Sequence, residues 1–239
     1  MVLDLRSIRL ALLKLGKQMT IKNVLRIFVN ILYKLSTAGL SKGPHVTRYF
    51  MYKHLSKKYA EPRSENLRVL SVSRSQHLAR LLGFDDRQIT DVSYPEFNIF
   101  SLPFGDDYFD AVVSDQVMEH LEGNPQFAID EVFRILKPNG IFLHTTCFIN
   151  PVHGCPNDYW RFTPDALKLL TEKHGRIWEV GGWGNPYVWL FIAMGLRSRP
   201  IPNSRWHPAH WLAIKNNQAW PIVTWVIGQK GNRITIHFT

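Results

Sequence analysis

The chain has 239 residues, 45% of them hydrophobic and 20% charged, a composition that is typical of a globular protein and excludes an intrinsically disordered one. Its net charge of +10 is uneven: residues 1–60 hold twelve Lys and Arg and a single acid, Asp4, whereas the remaining residues have a net charge of −1. The two cysteines give no disulfide framework and favour a reducing, cytoplasmic setting. No signal peptide is expected, and no apolar stretch reaches the roughly 18 uncharged residues of a membrane-spanning helix.

Residues 1–60 are predicted to form a basic helical extension. Residues 3–36 carry an apolar stripe at helical spacing, with a break near residues 18–20. The second half of this stripe consists of Ile21, Val24, Phe28, Ile31 and Leu35. Two interpretations are open: these helices cap the main domain, or they make peripheral contact with an anionic membrane surface. A loop over residues 37–43 and a helix over residues 46–60 follow, and the lack of a nucleic-acid-binding motif argues against a nucleic-acid partner.

Residues 61–239 are predicted to form the main domain, an α/β domain with a doubly wound, mostly parallel sheet, because strand patterns alternate with amphipathic helices. The predicted strands cover residues 67–72, 89–92, 108–113, 141–148, 178–181 and 221–228. The predicted helices cover residues 77–83, 125–136 and 165–174. Phe127 is placed on the apolar face of the second helix, and Lys137–Gly140 is predicted to be a turn. Residues 185–220, rich in Trp and Pro, form either a substrate lid or a part of the core.

The loop His153–Pro164, with the sequence HGCPNDYWRFTP, is the most distinctive segment of the chain. It directly follows a predicted strand, and open parallel sheets bind ligands at the carboxyl ends of their strands. His153 and Asp158 in this loop are candidate general bases by position. His120, at the end of an earlier strand, is either a further general base or a structural histidine with a backbone partner.

The same loop offers candidate substrate-binding residues. These are Tyr159, Trp160 and Arg161. Arg161 either grips a phosphate or carboxylate of the substrate or pairs with an acid such as Asp158. The aromatic rings either contact the substrate or fill the core. No metal site is predicted.

Several motifs, in this order, resemble one enzyme family. They are Val69–Val72 before a turn, the Leu-Pro-Phe of residues 102–104, the Phe-Asp-Ala-Val-Val of residues 109–113, the Glu-His-Leu of residues 119–121 and the Leu-Lys-Pro-Asn-Gly of residues 136–140. Over residues 66–182 the chain resembles class I S-adenosylmethionine-dependent methyltransferases of the type 11 group. Its HGCPNDYWRFTP loop is similar to that of a subgroup associated with polysaccharide and glycan biosynthesis. The resemblance implies a seven-stranded Rossmann-like sheet, S-adenosylmethionine as cofactor, and methyl transfer to an oxygen of a small-molecule or glycan-related acceptor.

The resemblance also implies four zones of cofactor contact. The turn after the first strand supplies Ser71, Ser73 and Ser75; the ribose zone supplies Ser93 or Asp91; the adenine zone supplies Asn98, Ile99 and Leu102; and the methionine zone supplies Asp115 and Gln116. Serines stand where the family has glycines, and Ser93 and Asn98 stand where it has acids. These departures leave an alternative open, in which the chain is a pseudoenzyme that keeps the sheet and acts as a binding or scaffold protein.

Overall fold

The computed structural model of the protein describes residues 20–154 and 156–232. These residues form two compact units: a smaller one of residues 20–46 with Pro186–Ala213, and a larger one of Thr47–Asn185 with residues 214–232. The first half of the predicted N-terminal stripe, with most of its break, lies outside the described residues. The helix predicted over residues 46–60 falls almost wholly within the larger unit.

The helices are α1 Ile21–Ser36, α2 Val46–Tyr59, α3 Gln76–Leu81, α4 Pro125–Ile135, α5 Pro164–Thr171, α6 Pro186–Ala193 and α7 Pro208–Ile214. The strands are β1 Lys42–His45, β2 Val69–Val72, β3 Ile89–Val92, β4 Phe109–Asp115, β5 Leu136–Cys147, β6 Gly175–Trp183, β7 Pro200–Pro202 and β8 Val223–Lys230. Short 3₁₀ helices cover Asp86–Gln88, Met118–His120 and Glu172–His174.

The larger unit is an α/β Rossmann-like fold built on one mixed sheet. Its strand order is β3-β2-β4-β5-β8-β6, with β8 antiparallel to both of its neighbours and the other pairs parallel. All four residues of β2 are buried, as expected for a central strand covered on both faces. The predicted doubly wound, mostly parallel α/β class is therefore confirmed.

The implied count of seven strands is wrong for the described residues, whose main sheet has six. The difference lies between β3 and β4, where residues 93–108 form turns and an isolated bridge between Asn98 and Ser101. The backbone amides of Phe97 and Ser101 donate within their own turns, to the carbonyl oxygens of Ser93 and Asn98, instead of to a neighbouring strand.

Two local predictions also need correction. Lys137–Gly140 is not a separate turn but belongs to β5, where it forms an irregular stretch between the pairs Phe109–Leu136 and Ala111–Ile141. Phe127 is 63% exposed, because α4 buries Ile129, Val132 and Phe133 against the sheet instead. Residues 185–220 contain α6, β7 and α7, and β7 pairs antiparallel with β1.

In the smaller unit, α1 is packed through its polar side chains. Arg26 donates to the carbonyl oxygen of Ala193, and Tyr33 donates to that of Pro200 at 3.0 Å. Asn30 accepts from Arg199. The five residues of the predicted apolar stripe are all exposed, from 48% at Val24 to 88% at Ile21. Among the described residues, no helix combines the length and apolarity needed to cross a membrane.

Candidate functional site

A cavity of about 870 Å³ lies in the larger unit at the carboxyl ends of β2, β3 and β4. It is lined by Arg48, Val72, Ser73, Arg74, Val92, Ser93, Tyr94, Phe97, Asn98, Ile99, Phe100, Leu102, Asp115, Gln116, Val117, His120, Leu121, Glu122, Pro156 and Tyr159. Its position agrees with the rule that open α/β sheets bind ligands outside the carboxyl ends of their strands.

The turn after β2 has an unusual backbone. Ser73 and Arg74 have φ angles of 56° and 63°, in the left-handed region that glycine normally occupies. The amide of Ser73 donates to the carbonyl oxygen of Val92 at 2.7 Å, which ties the turn to the end of β3. The turn therefore keeps a left-handed backbone without glycine, at a cost of about 1–2 kcal/mol for each such residue.

The other two serines of this turn, Ser71 and Ser75, stabilise it through hydrogen bonds on the side away from the cavity. The Ser71 hydroxyl donates to Asp91, whose carboxylate also accepts from the Arg74 amide at 3.1 Å. The Ser75 hydroxyl donates to the carbonyl oxygen of Val72 and accepts from the Asp115 amide. Ser71, Ser75 and Asp91 do not line the cavity, and their side chains hold the turn against β3 and β4.

The segment after β3 gives the cavity an apolar wall. Phe97, Ile99 and Phe100 are partly buried and pack against the core of the sheet, as does the buried Leu102. Asn98 is neutral, where the related family has an acid. Its side-chain oxygen accepts from the Phe100 amide at 3.0 Å and stabilises the turn. This wall has the mainly apolar character of pockets that bind planar organic groups.

Asp115, at the end of β4, is held by two residues of α2. Arg48 Nε donates to Asp115 Oδ2 at 2.8 Å, the Tyr52 hydroxyl donates to the same oxygen, and Thr145 donates to Oδ1 at 2.7 Å. Burial opposes the charge on Arg48, but Asp115 and Tyr52 outweigh it and raise the pKa of the guanidinium. Burial and Asp115 raise the pKa of Tyr52 well above its usual range, so its hydroxyl stays a donor.

Gln116 is the next residue along the chain. Its φ is 60°, and its amide donates to the carbonyl oxygen of Thr145 at 3.0 Å. Its side-chain Nε2 is buried at the cavity wall and has no hydrogen-bond partner among the residues that the structure describes. An unpaired buried donor costs about 1–3 kcal/mol, which a ligand with an acceptor atom would recover.

The loop that follows β5 is anchored on the 3₁₀ helix Met118–His120. The amides of Tyr159 and Trp160 both donate to the carbonyl oxygen of Glu119, and Trp160 Nε1 donates to that of Leu121 at 2.8 Å. Tyr159 is 44% exposed and lines the cavity. Trp160 stands outside the lining and stacks on Phe162.

The carboxylate of Asp158 forms an ion pair within the same loop. Arg161 contacts both of its carboxylate oxygens, and the Arg161 guanidinium holds the pKa of Asp158 well below its usual range. The backbone amide of His153 donates to Asp158 Oδ2 at 2.9 Å. The Asp158 side chain is 1% exposed, so it is a buried ion-pair partner rather than a base open to a substrate.

His120 lies at the cavity wall. Its Nδ1 contacts the carbonyl oxygen of Asn157. Because a carbonyl oxygen can only accept, Nδ1 carries the proton, and Nε2 of the neutral ring keeps its lone pair. The ring of His153 packs edge-on against that of His120, with centroids 5.1 Å apart.

The structure brings together about half of the candidate residues. Those lining the cavity are Ser73, Ser93, Asn98, Ile99, Leu102, Asp115, Gln116, His120 and Tyr159; those outside the lining are Ser71, Ser75, Asp91, His153, Asp158, Trp160 and Arg161. Arg48 and Tyr52, which belong to the predicted basic extension, were not predicted as site residues. The available signal was their spacing of four residues, which places both on one face of α2.

Comparisons with known protein families and with curated proteins point to the same class of protein. Residues 54–144, less than half of the chain, match the family of the methyltransferase domain. A curated protein of Mycolicibacterium smegmatis, described as a probable S-adenosylmethionine-dependent methyltransferase, is 39% identical over 72 residues, which cover 27% of this chain and 28% of that relative. Because the match spans little more than a quarter of the relative's length, the activity of the whole chain is a proposal.

Among solved structures, one chain in the complex between the Haloferax volcanii Trm112 methyltransferase activator and a proposed methyltransferase matches with a TM-score of 0.51. It is 16% identical, and the match covers 78% of this chain and 90% of that one. At this identity the likeness shows the shared fold.

Proposed function

We propose that this protein is an S-adenosylmethionine-dependent methyltransferase that methylates an oxygen of a small-molecule or glycan-related acceptor. The single observation that carries the proposal is the cavity of about 870 Å³, whose lining includes residues from all four zones expected to contact the cofactor. The match of residues 54–144 to the methyltransferase domain family supports the same activity.

The residues of the cavity fit this cofactor. The orphaned Nε2 of Gln116 offers a donor to an acceptor atom of the ligand. Phe97 and Ile99 offer apolar surface to the nucleobase, and the left-handed backbone at Ser73 and Arg74 keeps the turn close to the form that the family builds with glycines. The bound cofactor would supply an electrophilic methyl group on a sulfonium. Transfer of that methyl group would leave the sulfur as a neutral thioether.

His120 is the candidate general base. With Nδ1 donating to the carbonyl oxygen of Asn157, Nε2 is the atom that can take the proton of an acceptor hydroxyl as the new carbon–oxygen bond forms. The hydroxyl of Tyr159, which accepts from Asn157 Nδ2 at 2.8 Å, has its own proton left to orient that acceptor. The exposed ring of Tyr159 would stack on a sugar, which supports a glycan-related acceptor.

Calorimetric titration with S-adenosylhomocysteine tests the cofactor site. We expect the protein to bind it in the micromolar range and Gln116→Leu, which keeps the volume and removes the donor, to bind about tenfold more weakly. Gln218→Leu is the matched control, because Gln218 is exposed and does not line the cavity. Absence of heat from folded protein at millimolar ligand would contradict the proposal and favour a binding or scaffold protein.

We further propose that α1 makes peripheral contact with an anionic membrane surface. The observation in its favour is that α1 packs through Arg26, Asn30 and Tyr33 and leaves its apolar stripe exposed. A cavity of about 440 Å³ beside it is lined by three cations, Arg26, Lys34 and Arg199, together with Ile27 and Ile31, a combination that fits an anionic headgroup. Vesicle flotation tests this contact.

A further inference from the structure

A cluster of metal-ligating side chains, two of them buried and one partly buried, lies beside the cavity. One ligand atom from each of Glu119, Cys147 and His153 lies within 4.8 Å of the other two. The three residues come from separate parts of the larger unit: the 3₁₀ helix after β4, the end of β5 and the loop after β5. We propose that these three side chains bind a divalent transition-metal ion, with zinc the best match.

The first support is the state of Glu119. Its side chain is fully buried, and Thr146 donates to Oε2 at 2.8 Å. Among the described residues, Oε1 accepts no hydrogen bond from a nitrogen or oxygen, and the nearby Cys147 thiol is only a weak donor. A buried carboxylate with an unsatisfied oxygen is costly unless a cation or a donor faces it. A metal ion between Glu119 and the other two residues would satisfy that oxygen.

The second support is the setting of His153. Its Nδ1 lies 3.1 Å from Asp158 Oδ2, and Asp158 is itself fixed by both terminal nitrogens of Arg161. A carboxylate beside a histidine fixes the ring's tautomer and orientation, and metal-ligating histidines usually have such a partner. This arrangement also gives a role to the buried Asp158–Arg161 pair, which the proposed methyl transfer does not use.

The ligand set indicates the ion. A thiolate, an imidazole and a carboxylate together are typical of zinc, and three protein ligands leave the fourth position of a tetrahedral site open. Binding would release the thiol proton of Cys147 to solvent, so that a thiolate and a carboxylate balance the charge of the ion. Glu119 directly precedes His120, which places the ion just behind the cavity wall.

Cobalt titration of the full chain, after removal of metal with a chelator, tests the proposal. We expect one Co²⁺ per chain and a thiolate-to-cobalt absorption band in the near ultraviolet, displaced by one Zn²⁺. Cys147→Ser should abolish the band, and His153→Ala should weaken Co²⁺ binding by more than about tenfold. Cys155→Ser, at the other cysteine of the chain, is the matched control and should keep the band.

Circular dichroism verifies that each variant is folded, and Glu119→Gln, nearly isosteric, provides a further variant if Cys147→Ser is unstable. Folded protein with neither a cobalt band nor bound zinc would overturn the proposal, as would loss of the band in Cys155→Ser with retention in Cys147→Ser. Because the readout is metal binding, the result is independent of whether the protein binds S-adenosylhomocysteine.

Discussion

At the scale of single residues, the turn after β2 shows that a backbone conformation can persist without the residue that favours it. Ser73 and Arg74 are both left-handed, and the amide of Ser73 still reaches the carbonyl oxygen of Val92. Their side chains make this conformation unfavourable, and the hydrogen bonds of Ser71, Ser75 and Asp91 offset that cost. The turn therefore stores strain at the edge of the candidate site.

Ser73→Gly should release part of this strain. Glycine adopts the φ of 56° freely and keeps the amide that binds Val92, so we expect the free energy of unfolding to rise by about 1 kcal/mol. Chemical denaturation of wild type and variant measures the change. Ser101→Gly is the matched control, because Ser101 lacks a positive φ and a glycine there should only add chain entropy. Equal effects at both positions would show that the turn is not strained.

A second prediction at this scale concerns His144, a fully buried residue of β5. Its Nδ1 lies 2.8 Å from the Ser114 hydroxyl, and burial lowers its pKa to about 4. The unfolded chain takes up this proton near pH 6.5, so between the two values the unfolded state binds more protons than the folded state. The contribution of His144 to stability is thus complete above about pH 6.5 and is lost as the pH falls toward 4.

Substitution of His144 isolates this effect from the carboxylates that titrate lower. Between about pH 7.5 and pH 5 we expect wild type to lose about 2 kcal/mol more of its unfolding free energy than His144→Gln loses. Ser114→Ala is the control, since it removes the hydrogen bond and keeps the titrating ring, and it should destabilise at both pH values alike. Parallel pH profiles for wild type and His144→Gln would contradict the prediction.

At the scale of elements, the alternation of strands and helices could be predicted because each pattern records burial. Buried runs such as residues 69–72 and 109–113 form strands, and the apolar positions of α4 largely face the sheet. The sequence pattern does not show which face of a helix packs against the rest of the protein. In α1 the apolar stripe is correctly predicted as one face of a helix, yet it is the polar face that packs within the smaller unit.

Helix α2 shows the same limit for the candidate site. Its charges are indistinguishable in sequence from those of a solvated surface, so neither Arg48, which lines the cavity, nor Tyr52, which with Arg48 holds Asp115, was predicted as a site residue. They meet Asp115 across more than sixty positions of the chain, and only the folded sheet brings the end of β4 to them. Of the residues carried over from motif positions, Ser93, Asn98 and Gln116 line the cavity, whereas Ser71, Ser75 and Asp91 lie outside its lining.

At the scale of the whole molecule, charge is separated along the chain. Residues 1–60 carry a net charge of +11 and the remainder a net charge of −1. Part of this positive charge lies on α1, at Lys22, Arg26 and Lys34, next to the exposed apolar stripe. A basic helix with an uncovered apolar face is suited to the interface of an anionic membrane, where both kinds of side chain are satisfied.

Flotation with lipid vesicles would show whether this charge and this face act together. We expect the full chain to float with vesicles that contain phosphatidylserine, to remain behind with pure phosphatidylcholine, and to be released as added salt screens the attraction. Phe28→Ser should weaken flotation by about tenfold, because it removes an apolar side chain that would enter the interface. Phe127→Ser is the matched control: Phe127 is 63% exposed, comparable to the 56% of Phe28, but lies on α4 in the larger unit. If both variants lost binding equally, or if the wild type did not float, α1 would not be the membrane contact.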